Sequence, residues 1–177
     1  MTSTLTAPRQ SRLSSPALDF DALYRAARDD VYAYVATLLR DDAAAEDVTA
    51  QAFERAFRRR RTYDARRGTP RAWLFGIARN AALDELRRRR RSATLAPDAP
   101  DDATPVEDEV EQLVRRAAVR SAIAALEPRE RELIALKFHA GLDNSELAAV
   151  LGVSVTNAGT QLHRAMTKLR RSVDARP

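Results

Sequence analysis

Apolar residues in the first part of the chain recur every three or four positions. Phe20, Leu23, Tyr24, Ala27, Val31, Tyr34, Val35 and Leu38 form one stripe, which predicts a helix over about 18–40. A second helix is predicted after Asp41 and Asp42, whose carboxylates suit the positive end of a helix dipole. Its apolar side carries Val48, Ala52, Phe53, Ala56 and Phe57. The pattern breaks over 58–68. Thr69 before Pro70 then reads as a cap followed by a first-turn proline, where no N–H is needed. The third helix buries Trp73, Leu74, Ile77, Ala81 and Leu83 and runs into the arginines of 87–91.

Periodicity resumes with Val110, Leu113, Val114, Ala117 and Ala124. Leu126, Glu127 and Pro128 mark a stop and a new start, leading through Leu133, Ile134, Leu136 and Phe138 to Gly141. Asp143 with Glu146 has capping-box spacing. The short helix it opens carries Leu147, Ala148, Val150 and Leu151 and stops at Gly152, and Ser154 caps a last helix reaching about Val173. No strand-length alternation and no internal repeat is found. The expected fold is all-α, as two small helical bundles.

Between the two blocks, three prolines and seven acids with no basic residue over 92–111 make a stretch unable to bury enough apolar surface to order itself. The expected organisation is a disordered tail over 1–16, an N-terminal block over 17–91, a flexible acidic linker over 92–108 and a C-terminal block over 109–173. The tail is rich in Ser, Thr and Pro and lacks the apolar core of a secretory signal. No stretch approaches the ~20 apolar residues of a membrane span, so no membrane insertion is expected.

Charge is laid out in lobes. Residues 1–54 carry net −4, 55–91 carry +11 with 14 arginines, 92–111 carry −7 and 112–177 carry +5. Opposite-sign lobes of this kind suit polyanion contact at particular faces. The 177 residues include no cysteine, two histidines and five glycines. Disulfides, thiol nucleophiles and Cys-ligated metals are thereby excluded, and the composition suits a reducing cytoplasm. Clustered glycines that would cradle phosphates are lacking. No catalytic constellation, cofactor or metal is expected.

Three features carry candidate chemistry. Residues 143–171 have the caps, small residue and Gly turn of a helix-turn-helix, which places its second helix in a major groove. Its polar face holds Thr156, Asn157, Thr160, Gln161, His163, Arg164 and Lys168. Two packed helices of any bundle can share that spacing. Over 55–91, Tyr63, Trp73, Phe75 and Asn80 interleave with arginines, a mixture able to hold phosphates while capturing an unstacked base. Long arginine runs are usually solvated faces, and Trp73 suits a core better than a stacking platform. Over 44–57, Glu46, Asp47, Gln51 and Glu54 form an acidic face fitted to a basic protein partner, or merely to solvent.

Taken in order, 45–48 (Ala-Glu-Asp-Val), Phe53, 73–80 (Trp-Leu-Phe-Gly-Ile-Ala-Arg-Asn) with Asp84, 126–131 (Leu-Glu-Pro-Arg-Glu-Arg) and 162–165 (Leu-His-Arg-Ala) with Leu169 and Arg170 resemble an extracytoplasmic-function (ECF) sigma factor of bacterial RNA polymerase. The likeness spans about 19–171. It implies a sigma-2 block that binds the polymerase β′ clamp helices through Glu46, Asp47, Gln51 and Phe53. It also implies minus-10 DNA contacts from Tyr63, Arg66, Arg67, Arg71, Arg79, Asn80, Asp84 and Arg87. Within that set the loop from Tyr63 to Thr69 captures a flipped base, Asn80 reads it, and Arg71, Arg79 and Arg87 hold phosphates.

The C-terminal block would be sigma-4, docking on the β flap and reading the minus-35 element through Ser154, Thr156, Asn157, Gly159, Thr160, Gln161, His163, Arg164 and Lys168. The acidic linker would thread the polymerase's nucleic-acid channel, or lie over the basic surface of the free protein. An anti-sigma factor is the further partner the family implies. Two positions depart from its pattern. Ala50 stands where Gln is common, with Gln51 beside it, and Gly159 and Gln161 replace basic residues of the recognition helix. The departure in the recognition helix implies a shallow salt dependence of minus-35 binding, and Gly159 suggests close backbone approach to DNA or to a neighbouring helix. The expected function is promoter-directed initiation with core polymerase, without catalysis by this chain. A stand-alone helix-turn-helix regulator is the alternative.

Overall fold

The computed structural model describes residues 18–93 and 110–174. The expected tail over 1–16 and nearly all of the acidic linker lie outside the described residues, as does any placement of that linker over the basic surface.

Among the described residues, seven α-helices follow one another without strands: α1 (Phe20–Leu39), α2 (Asp42–Arg59), α3 (Pro70–Ala93), α4 (Val110–Ala124), α5 (Pro128–Phe138), α6 (Asn144–Leu151) and α7 (Val155–Asp174). Two single 3-10 turns, Arg60–Thr62 and Ala65–Arg67, separate α2 from α3. Local chemistry sets these boundaries. Asp19 and Asp41 accept the third-residue N–H groups of α1 and α2, at 2.9 and 3.0 Å. Thr69 Oγ1 accepts from Ala72 N at 3.2 Å, and Pro70 occupies the first turn of α3. At α6, Asp143 and Glu146 form the reciprocal capping box, and Gly152 ends the helix in the left-handed conformation glycine adopts without strain. Ser154 Oγ accepts from Asn157 N at 3.2 Å to open α7. The helix of α3 continues through Ser92 and Ala93, two residues into the stretch expected to be linker.

The first three helices pack on one another along their apolar stripes. Val31, Tyr34, Val35, Leu74 and Phe75 are fully buried, and the Tyr34 and Phe75 rings meet edge to face at 5.5 Å. Ala52 and Ala56 of α2 and Ala78 and Ala82 of α3 are likewise sealed, small enough to let the backbones approach. Phe75, read from sequence as part of a mixed basic surface, belongs to this core, while Leu83 is only half-buried.

The facing of several other side chains also differs from the predicted stripes. Ala117 is exposed and Ala122 is buried instead, because α4 turns that face toward α7. Phe57 and Phe138, both placed on apolar stripes, are exposed at 49% and 62%. Phe138 is the last residue of α5, and Phe57, near the end of α2, keeps only an edge contact with the Phe20 ring at 5.3 Å and the cover of Arg60.

The two blocks do not stand apart. α5 packs on α1 and α6 packs on α3. Leu133, Leu136 and Ala140 join the same buried cluster as Val31, Tyr34 and Phe75, whereas Ile134 turns the other way to meet Leu126 and Ala165 of α7. Helix α5 is therefore apolar on two sides and is the common wall of the molecule.

Candidate nucleic-acid interface

Helix α2 presents Glu46, Asp47, Gln51 and Glu54 to solvent, a continuous acidic and amide face opposite its buried side. Phe53 is not on that face. It is 6% exposed, with the Tyr24 ring edge-on at 4.8 Å and Phe20 at 6.5 Å. It holds α2 against α1, as its place on the apolar stripe of α2 predicts. The exposed aromatic on α2 is Phe57, one turn later, with the Arg60 guanidinium 3.9 Å above its ring.

The loop between α2 and α3 is tied down by its own side chains. Asp64 accepts from the backbone N–H of Arg66 and from both ends of its guanidinium fork, at 3.0 to 3.1 Å. The Arg66 fork, helped by that N–H, holds the Asp64 carboxyl below the usual carboxylate range. Tyr63 donates its hydroxyl to Gly68 O at 3.0 Å and sets its ring edge-on to Trp73 at 5.7 Å. Gly68 itself has φ of 146°, a conformation reserved in practice for glycine. Arg67 projects into solvent, and Trp73 is half-buried at the rim of the core. The structure thus brings Tyr63, Trp73 and the arginines of the loop together on one edge.

Along α3, Asn80, Asp84 and Arg87 follow at helical spacing on an exposed face. Asp84 accepts from Arg87 at 3.1 Å and from Arg55 of α2 at 3.4 Å. Arg71 and Arg79, assigned to phosphates by resemblance, are turned instead toward the C-terminal block. Arg71 donates to Asp30 Oδ2 at 2.6 Å, to His139 O at 2.8 Å and to Ala140 O, with a longer contact to Ala26 O. Arg79 Nε meets Glu132 Oε1 at 2.6 Å. In this arrangement neither guanidinium faces solvent as the others do.

The α6–turn–α7 unit shows Thr156, Asn157, Thr160, His163 and Arg164 on an open face. Gln161 bridges, accepting from Arg129 Nε at 3.0 Å and donating to Asn157 Oδ1 at 2.7 Å. Lys168 Nζ lies 2.8 Å from Glu130 Oε2, which lowers the Glu130 carboxyl and raises the Lys168 ammonium. Both residues fix α7 against α5. At Gly159 an added Cβ meets only Asn144 Nδ2 at 3.5 Å, an ordinary contact. Approach of a neighbouring helix therefore does not require glycine there.

These two surfaces coincide with matches to known families. Sigma-70 region 2 matches residues 23–92, and sigma-70 region 4 matches residues 116–169. The ECF RNA polymerase sigma factor SigL of Mycobacterium tuberculosis is 32% identical over 168 residues, covering 90% of this chain and 94% of SigL. This chain belongs to the ECF sigma factors. It is an alternative sigma factor, the class of subunit that directs RNA polymerase to promoters. The ECF sigma factor BldN of Streptomyces coelicolor is 34% identical over 156 residues, covering 86% of this chain and 59% of BldN. The chain thus spans less than two thirds of that relative's length. In fold it is similar to the sigma factor RpoE, solved with the anti-sigma factor NepR from Bartonella quintana. The TM-score is 0.76 at 19% identity, covering 90% of this chain and 99% of RpoE. Among the described residues, no helix is long and apolar enough to cross a membrane.

The residues that sequence reasoning missed are those on the seam between blocks: Asp30, Glu132, His139 and the carbonyl of Ala140. One signal was available. Glu132 precedes Leu136 by one turn, so an acid occupies the buried side of α5.

Proposed function

We propose that this sigma factor binds core polymerase through the acidic face of α2 and reads two promoter elements with its two blocks, supplying no catalytic group. Glu46, Asp47 and Gln51 meet the basic side of the β′ clamp helices. The loop holding Tyr63, Arg66 and Arg67, with Asn80, Asp84 and Arg87 of α3, captures the opened minus-10 strand. Unpairing is offset by base capture and by phosphates held on arginine. The minus-35 element takes the open face of α7, with Ser154, Thr156, Asn157, Thr160, His163 and Arg164 toward the groove and Lys168 flanking.

One observation carries this reading: the region-2 and region-4 matches fall in order on the two blocks, and each block keeps a polar face exposed. The β flap as the docking point for the C-terminal block, and an anti-sigma factor as inhibitor, belong to the same proposal. They draw on the family and on the assembly of RpoE with NepR. The setting of such a factor is the cytoplasm, where the polymerase works. Run-off transcription with purified core polymerase on a genomic library tests the reading. Initiation at a discrete set of sites sharing two spaced elements is the expected result, and failure to bind core polymerase would overturn it.

A further inference from the structure

We propose that the packed arrangement of the two blocks is a self-inhibited state, in which the C-terminal block occupies arginines that the N-terminal block offers to promoter DNA when it opens. The inference rests on the promoter-binding reading above, and the seam supplies its observations.

At Arg71 four of the five N–H donors have partners. Nε and one terminal nitrogen go to the carbonyls of Ala140 and His139, where α5 ends, and that same nitrogen also reaches Asp30. The second terminal nitrogen points to Ala26 O. Carbonyls at a helix C-terminus carry the negative end of its dipole. They present to a guanidinium much what a phosphate would, and a fork engaged on them has no pair of donors left for a strand. At Arg79 the Glu132 carboxylate takes the same part, with 18% and 9% of the two side chains exposed. Thr69, at the end of the base-capturing loop, donates to Glu146 of α6 at 2.5 Å. Three positions of the minus-10 surface are therefore covered by α5 and α6 through groups that mimic, or block, a nucleic-acid backbone.

Two further features mark the closure as separable. A crevice of about 290 Å³ runs along the seam, lined by Leu38, Leu83 and Leu86 as well as Arg79, Arg87 and Glu132. Interiors built to stay shut are close-packed. Beside it the Tyr34 hydroxyl is buried with no protein partner, within the fields of Glu132 and Arg79. A buried hydroxyl without a protein partner adds no hydrogen bond that would hold the seam shut. Binding to polymerase that requires separated blocks must overcome this packing, so apparent affinity falls by the fraction of chain that is open.

The chain has no cysteine, which allows unique labels. Dyes at Arg28→Cys on α1 and Ala149→Cys on α6 report the distance between blocks. High transfer is expected in the free protein, falling on addition of core polymerase and in the Glu132→Gln and Glu132→Lys variants. Equal transfer in all four conditions would overturn the proposal. In a second arm, Thr37→Cys and His139→Cys, whose native side chains meet at 3.2 Å, are joined by a short bis-maleimide. The linked protein is expected to lose at least tenfold in run-off transcription relative to the same variant left unlinked. Undiminished initiation by the linked protein would overturn the inhibitory role. Failure of the unlinked protein to initiate would instead count against the promoter-binding reading, while the dye distances still decide closure.

Discussion

Arg79 and Glu132, 53 positions apart, meet at 2.6 Å across the seam between α3 and α5. Little water reaches the pair, so removing one partner leaves an uncompensated charge at a cost of about 3 kcal/mol. That loss cannot exceed the free energy of closing the seam, because beyond it the blocks separate and both groups hydrate. We therefore expect Glu132→Ala to split a single urea transition into two, followed by far-ultraviolet circular dichroism. The paired change Arg79→Met with Glu132→Leu, which leaves no charge to hydrate, should restore one transition.

His139 supplies a pH dependence. Its Nε2 lies 3.2 Å from Thr37 Oγ1, its carbonyl accepts from Arg71, and Asp30 is the nearby carboxylate. Burial pushes the imidazole below its ordinary 6.5, only partly opposed by the Asp30 charge. The sign follows from proton uptake: an exposed ring gains its proton near 6.5 and the buried ring only at lower pH. Stability is thus full above about pH 6.5 and is lost progressively below it, until the buried ring also titrates. Between about pH 7.5 and 5.5 the wild type should lose up to about 1 kcal/mol in urea unfolding, and His139→Gln should lose markedly less. Asp41, Glu85 and Glu130, all held below their ordinary values by hydrogen bonds to N–H or cationic partners, act at lower pH, outside this window.

What sequence could show depended on the range of the interaction. The caps at Thr69, Asp143 and Ser154 were legible because a cap is made within three residues of itself, while Asp41, read as a charge at the helix dipole, is a cap as well. The acidic face of α2 and the open face of α7 were legible as the polar sides of periodic helices. Phe53, Phe57, Phe75 and Phe138 were harder, since an aromatic at the edge of a stripe faces in or out according to what packs beside it. Apart from the acid at Glu132, the seam was illegible. Arg71 and Arg79 have the same composition signature whether they await a phosphate or clasp a helix end, and their partners lie in the other block.

Gly159 stands inside α7 without the backbone conformation or crowding that calls for glycine. Glycine in a helix interior costs about 1 kcal/mol relative to alanine. Gly159→Ala should therefore raise stability by about that amount in urea unfolding. If minus-35 affinity falls in the same variant, the reason for glycine is backbone approach to DNA; if it does not, no contact made by this position in the structure accounts for it.

Arg40 ends α1 in the left-handed region, with φ of 56°, the described non-glycine residue that does so. A side chain pays about 1 kcal/mol or more for that conformation. The charge is also unhelpful there, because Arg40 repels Arg131, whose guanidinium is already lowered mainly by burial. Arg40→Gly should stabilise the protein by about 1 kcal/mol, and Arg40→Asn by less, both read as thermal or urea midpoints.

The recognition surface predicts a shallow salt dependence. On α7 the cations beside the open polar face proposed for the minus-35 element are Arg164 and Lys168, while Gln161 is neutral and held by Arg129 and Asn157. Lys168 is paired with Glu130, but 46% and 27% of those side chains are exposed, so exchanging that partner for a phosphate is nearly neutral. Each phosphate contact contributes about 0.9 to the slope of log affinity against log salt. Arg164→Ala should flatten the slope for a minus-35 duplex by about that much, and Gln161→Lys should steepen it equally. Fluorescence anisotropy from about 50 to 200 mM salt measures both. A slope unchanged by Arg164→Ala would remove the open face of α7 from the phosphates. A steep wild-type slope would mean that cations outside this helix carry the contact.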